Sequence, residues 1–381
     1  MRKFSYAAIA AFAMLGILFA YLSAAAWGSM VWAKDKAMFY LETPISAETA
    51  LGIWEQGQEL AEQYRQGLEN EAPLPFCIWG QTGHVLVSGG NLSMQTQVSA
   101  ILFCGKPELL FEDCRVPVPE DVGGCLLDEQ AAWELFGGTE VVGKEVSCGN
   151  HIFTIRDVIP GNEGLVAFQV SRGLLEKNNT KGQEPEGEPP LGMDEMMQRV
   201  TVQKPEGYSL HELESIWDSQ YGLSADLLDT ELLRGIGGFC ALLFPVSLCI
   251  FFGTYLCHQY KVWESLLGKA LAAGCSLALA AALLVFLKGF VKIPDSYIPT
   301  RWSDFSFWAS LWERKIEALK LLLHVPKSIL DDSWMGLFYQ AAGFGALAEI
   351  FLAVGGAWGK AAMGNLSEKE ISDSFYPHKM V

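Results

Sequence analysis

The stretch "VGGAWGKAA" (Val354–Ala362) places a glycine and a lysine as a nucleotide-binding phosphate loop does. Such a loop turns backbone N–H groups onto phosphates, aims its lysine at the terminal ones and holds magnesium through the next hydroxyl. Here Val354 stands where the first glycine belongs and Ala361 where the hydroxyl belongs, so the stretch reads as a helix end made of small residues. Neither GxSxG, HExxH nor an Asp/Asn calcium loop occurs. The nine cysteines contain no CxxC, so a zinc centre is not expected. Cys240, Cys249, Cys257 and Cys275 fall in apolar runs and read as small packing residues. Cys77, Cys104, Cys114, Cys125 and Cys148 lie in an acidic middle region, an odd set with room for a disulfide such as Cys104–Cys114. These residue types point to no enzyme, no cofactor and no ATPase within the chain.

The sharpest single residue is Glu349, in the middle of "AAGFGALAEIFLAVGG" (Ala341–Gly356). A carboxylate at the centre of an apolar span is costly, so it reads as a candidate intramembrane polar site or as a protonated packing residue. Gly343, Gly345 and Ala346 beside it favour close helix–helix contact. Four stretches have the ~20 apolar residues needed to cross ~30 Å of hydrocarbon: 4–33, 235–257, 270–287 and 335–358. The first outruns a signal-peptide core and reads as a retained anchor. Arg2 and Lys3 place the N-terminus in the cytoplasm, and four spans return the tail 361–381 there. The connector "HQYKVWESLLGK" (His258–Lys269) is then cytoplasmic as well. The loop 288–334 lies outside although it carries seven Lys and Arg, which counts against this orientation.

The 381 residues carry a formal charge of −17 and a mean hydropathy of +0.21. Residues 34–233 hold 12 Lys and Arg against 33 Asp and Glu. A region this acidic repels phosphate backbones, so nucleic acid is not an expected partner. It lacks the positive residues that hold loops inside, and long domains translocate regardless of charge, so it is expected outside the membrane. Ser46 is a plausible cap for a helix over 47–69, with Leu51, Trp54, Ala61, Tyr64 and Leu68 on its apolar side. Residues 76–105 read as short strands broken at glycines. Asp128 suits the start of a helix ending at Phe136, stopped by Gly137 and Gly138. "KEVSC" and "HIFTIRDVI" flank Gly149–Asn150, a hairpin signal. Residues 176–195 are rich in Glu, Gly, Pro and Asn and read as a mobile loop. Residues 198–204 resume strand character. Ser209 and Glu212 then have the spacing of a capping box for a helix to Gly222. Together these make one α+β domain, 34–233, between an anchor (1–33) and three spans (234–360).

Between the last two spans, Phe305, Trp308, Trp312, Ile316, Leu319 and Leu323 recur every three or four residues. A helix over 303–325 is therefore expected, lying in the headgroup layer with Trp302, Trp308 and Trp312 as anchors, or packed on the outer domain.

"CLLDEQAAWELFGGTEVVGKEVSCGNHIFTIRDVI" (Cys125–Ile159) resembles the periplasmic core domain of MacB/FtsX-type ABC transporter permeases. A strand at Leu126–Leu127, a helix over Ala131–Gly137, a turn at Val142–Lys144 and a hairpin over Val146–Ile159 follow the family's order. One anchor, a large outer domain and three spans do so too. The resemblance implies a multi-pass protein of the bacterial plasma membrane. It implies an outer domain that does no chemistry but relays motion from a separate cytoplasmic ABC ATPase, in a homo- or heterodimer of permease subunits. Contact with the ATPase would fall on Lys261, Trp263 and Glu264, in a segment shorter than the family's. The alternative is a membrane-anchored interaction or assembly protein that uses the same outer domain without a motor.

Overall fold

The computed structural model describes residues 2–30, 35–68, 72–90, 94–111, 114, 123–149, 151–161, 163–179, 197–205, 207–290 and 305–375. They form two units: 32–230 with 301–332, and 1–31 with 231–300 and 333–381.

Among the described residues the first unit is built on a sheet of nine strands. In chain order it holds β1 (Lys36–Ile45), α2 (Ala47–Arg65), β2 (Phe76–Gly89), β3 (Gln95–Gly105) and a short turn, Pro107–Leu109. There follow β4 (Gly124–Asp128), α3 (Glu129–Phe136), β5 (Glu145–Cys148), β6 (His151–Ile159), β7 (Leu165–Gln169) and α4 (Arg172–Asn179). β8 (Met197–Gln203), α5 (Leu210–Tyr221) and β9 (Ala225–Leu228) complete the sheet region. The strand order is β3-β7-β4-β6-β5-β2-β8-β1-β9, and β2 also pairs with β3. The long β2 therefore has three partners, β3, β5 and β8, and joins the two halves of the sheet. Only β3–β7 and β4–β6 are parallel among these pairings.

Alternation along the strands makes two apolar faces. Phe76, Ile78, Leu102 and Cys104 point into the larger core, which α2, α3 and α5 cover with Ala50, Leu51, Leu135, Leu213 and Trp217. Cys77, Trp79, Ile101 and Phe103 point the other way, into a smaller core with Leu109, Phe111 and Leu126. Ile329 and Leu330 pack against that second core.

Local chemistry sets most of the helix ends. The Ser46 hydroxyl accepts from the Thr49 N–H at 3.2 Å. The Asp128 carboxylate accepts from the Ala131 N–H at 2.8 Å, and Gly137 ends α3 in the left-handed conformation, φ 71°. Ser209 and Glu212 form the full capping box of α5. β5 and β6 pair with Cys148 opposite His151, the register expected of a hairpin.

Three expectations change. Residues 76–89 and 95–105 form two long strands, because the glycine between Gln81 and His84 is absorbed by a register shift and does not end β2. α2 stops at Arg65, and Tyr64 and Leu68 are exposed; its buried side runs through Ala47, Ala50, Leu51, Ile53 and Gly57. α4 takes up the first four residues of the expected mobile loop, and the rest of that loop lies outside the described residues.

The second unit holds the apolar helices α1 (Arg2–Ser29), α6 (Thr230–Val262), α7 (Leu266–Phe290) and, except for its first turn, α9 (Ile329–Phe375). All four are long and apolar enough to cross a membrane. The helical runs exceed the apolar cores at both ends, and α9 continues through much of the expected tail. Backbone hydrogen bonding carries each helix past its hydrocarbon-length stretch. Phe12, Phe19, Phe344 and Phe351 stack between α1 and α9. The Ser23 hydroxyl donates to the Ala341 carbonyl at 2.6 Å. On α6, Arg234 lies over the Trp27 ring and donates to the Met30 carbonyl at 3.1 Å, and the Trp27 indole N–H donates back to the Arg234 carbonyl at 3.0 Å.

The expected amphipathic helix is α8 (Phe305–His324). It belongs to the sheet unit. Of the two placements expected for it, packing on the sheet unit is observed: Leu311 and Leu322 are buried, and Lys315 pairs with Asp229. Trp302 lies outside the described residues.

Candidate coupling site

A buried ion pair joins β8 to the first turn of α9. Arg199 faces the smaller core, and its guanidinium meets the Asp331 carboxylate at 2.7 Å, with side-chain exposures of 9% and 1%. Arg199 also donates to the Pro326 carbonyl and lies over the Trp79 ring, 5.2 Å from its centre. The Trp79 indole N–H donates to the Thr201 hydroxyl at 3.0 Å, which fixes the ring under the guanidinium.

Asp331 has a second task. It accepts from the Ser328 N–H at 2.8 Å while its own N–H donates to the Ser328 hydroxyl at 3.3 Å, the reciprocal pattern of a capping box. The next free N–H, that of Ile329, donates to the Gln81 side-chain oxygen on β2 at 2.7 Å. Two strands thus supply partners to the N-terminus of a helix that runs on as the last apolar span. Partial desolvation holds the Lys327 amine below its usual range; Asp331 opposes this and Arg199 reinforces it. The Glu163 carboxyl is raised by desolvation, then by Asp332 and Asp128. A buried pair with several further hydrogen bonds can be held without net cost, whereas a lone buried charge cannot. The arrangement fixes position.

Local sequence carries one sign of this site, the Ser-x-x-Asp spacing of Ser328 and Asp331. Nothing local marks Arg199, a single basic residue in a strand, because its partner lies on a distant segment.

The residues expected to do work stand apart from it. Lys261 is in the last turn of α6, and Trp263 and Glu264 form the tight connector to α7; all three are exposed. Ser265 caps α7, its hydroxyl accepting from the Gly268 N–H at 3.2 Å. A Cβ on Gly268 would meet the Trp263 ring at 2.8 Å, so the indole is seated on that first turn. Glu349 is partly buried on α9, and its Oε1 is buried with no hydrogen-bond partner among the described residues. Of its small neighbours, Gly345 makes the close contact: a Cβ there would lie 2.7 Å from the Cys240 carbonyl oxygen on α6. Gly343 faces open space and Ala346 is exposed. Among the described residues no hydrogen bond or ion pair joins Glu349 to Lys261, Trp263 or Glu264.

The five cysteines of the sheet unit are buried, and Cys77, Cys104 and Cys114 are free thiols. Cys104 points into the larger core and Cys114 into the smaller one, so the sheet separates the pair considered from sequence. Burial pushes the Cys104 thiol up to about 12 and the Cys114 thiol up to about 11. They are packing residues here, without thiolate character.

No protein-family model and no curated protein matches the chain. Several solved structures are similar to it, three of which follow. The periplasmic region of MacB from Actinobacillus actinomycetemcomitans is 10% identical, with a TM-score of 0.35, over 54% of this chain and 92% of that one. The extracellular domain of the noncanonic ABC-type transporter YknZ from Gram-positive bacteria is 12% identical, with a TM-score of 0.33, over 51% and 99%. A domain of a putative permease from Porphyromonas gingivalis is 12% identical, with a TM-score of 0.31, over 51% and 90%.

Proposed function

We propose that the chain is a permease-like membrane subunit of an ABC-type assembly. Its sheet unit lies outside the plasma membrane, and a separate cytoplasmic ATPase acts on it through the helices. The observation that carries this reading is the Arg199–Asp331 clamp. It makes the first turn of α9 part of the sheet unit, so displacement of that helix is delivered to the sheet. Four apolar helices in the order one, domain, three, and the resemblance of Cys125–Ile159, support the same reading.

In this arrangement Lys261, Trp263 and Glu264 form the cytoplasmic contact, an exposed cation, ring and carboxylate on the tight connector between α6 and α7. Among the described residues little covers α7, with Leu271, Leu277, Leu284 and Val285 exposed. That apolar surface suits lipid and a second permease subunit.

The test is purification of the tagged full-length protein in gentle detergent, followed by identification of bound proteins. A stoichiometric ABC ATPase, lost on Trp263→Ala with Lys261→Glu, is the expected result. Recovery of membrane or outer proteins alone would replace this reading with that of a motorless interaction protein.

A further inference from the structure

α8 carries three kinds of surface. One side is pinned to the sheet unit by buried Leu311 and Leu322 and by the Lys315–Asp229 pair. A second side is polar, with Glu313, Arg314, Glu317 and Lys320 exposed. Between them runs an exposed apolar ridge, Trp308, Trp312, Ile316 and Leu323, at helical spacing; Trp312 is 70% and Leu323 60% exposed. Packing on the sheet unit therefore accounts for a stripe of α8 that adjoins this ridge, and leaves the ridge uncovered.

Both attachments of α8 lead to membrane helices. Asp229, the partner of Lys315, is the residue before α6 begins at Thr230. At the other end, only residues 325–328 separate α8 from α9. Four residues reach at most about 14 Å even when fully extended. Lys315 and the C-terminal end of α8 are thus tied close, along the chain, to the starts of two apolar helices.

We propose that the Trp308–Trp312–Ile316–Leu323 ridge docks into the outer lipid surface, at the boundary of headgroups and acyl chains. Tryptophan suits that boundary because its ring is apolar and its N–H still finds water or a headgroup oxygen. An interfacial helix sinks its apolar side on the order of 5–10 Å. The polar side would then face water. α8 becomes a wedge with the sheet unit on one side and lipid on the next. A second copy of the chain is the rival occupant. It is less favoured because the ridge is one narrow line of four side chains, whereas the tethers to two spans put lipid beside it in every copy. The inference needs the four spans but not the ATPase, so it stands or falls separately from the proposed function.

The test is spin labelling of the full-length protein in phosphatidylcholine–phosphatidylglycerol vesicles, in a background lacking Cys240, Cys249, Cys257 and Cys275. Labels go at positions 312 and 316 on the ridge and at 313 and 317 on the polar side. The label at 316 leaves both tryptophans in place. Collision with oxygen, which concentrates in lipid, and with a water-soluble nickel chelate is compared. The expected result is an oxygen-to-nickel accessibility ratio at 312 and 316 at least several-fold above that at 313 and 317. Equal ratios on the two sides would overturn the proposal in favour of an aqueous ridge. Low accessibility to both reagents at 312 and 316 would overturn it in favour of a second copy or another protein.

Discussion

Arg199 and Asp331 show what a single buried contact can hold. Removing one member leaves the other as an uncompensated charge against Trp79 and the smaller core, a loss of roughly 3–5 kcal/mol. Arg199→Met and Asp331→Asn are each expected to lower the melting temperature of the detergent-solubilised protein by several degrees. The double variant should recover part of the loss, since neither charge then remains; additive losses would show that the two side chains are not coupled. Glu163 offers a test with a sign. Its folded-state pKa is raised above the ordinary 4.5, by desolvation first and then by Asp332 and Asp128. The fold therefore takes up this proton more readily than the unfolded chain, and the resulting contribution is present below 4.5 and is lost as pH rises through the raised value. Glu163→Gln should raise the melting temperature at neutral pH, and the gain should vanish in acid. The side chain is exposed, so the gain is small and shrinks with salt. A gain that is the same at both pH values would contradict the assignment.

At the scale of elements, the legible parts were those written locally. Ser46, Asp128, Gly137, Gly149 and Ser209 carry their turns and caps in neighbouring residues, and the structure uses each as its type suggests. The span count was legible because hydrocarbon thickness demands long apolar runs. The buried side of α8 was not. Its most regular apolar line is the exposed one, while Leu311, Lys315 and Leu322 hold the sheet unit, and only the tertiary partner Asp229 reveals that. The small residues of α9 divide the same way, since spacing alone does not say which glycine meets a neighbour. Gly345→Ala is expected to push α9 away from α6, because its Cβ would fall 2.7 Å from a backbone oxygen, which cannot rotate aside. Overpacking of this kind costs about 1–3 kcal/mol. Gly343→Ala meets nothing within 4 Å and should be neutral. Thermal stability of the two variants in detergent checks the pair; equal behaviour would remove Gly345 from the contact.

At the scale of the whole molecule, the sheet unit takes in the first turn of α9. The acidic sheet unit holds nine strands, and two of them grip the N-terminus of a helix that then runs apolar for the length of a bilayer. Spacing in the sequence marks the four apolar helices and the β-rich region, but not this grip, because β8 and residues 328–331 are far apart in the chain and each looks ordinary alone. The central claim is that Arg199 makes the first turn of α9 move with the sheet. Hydrogen exchange at the amides of residues 328–332, in the full-length protein and in Arg199→Met, tests it most directly. The account predicts strong protection in the parent and at least a tenfold faster exchange in the variant, with the β2–β3 amides unchanged. Equal protection in both proteins would show that the sheet does not hold the helix through this residue, and would contradict the claim.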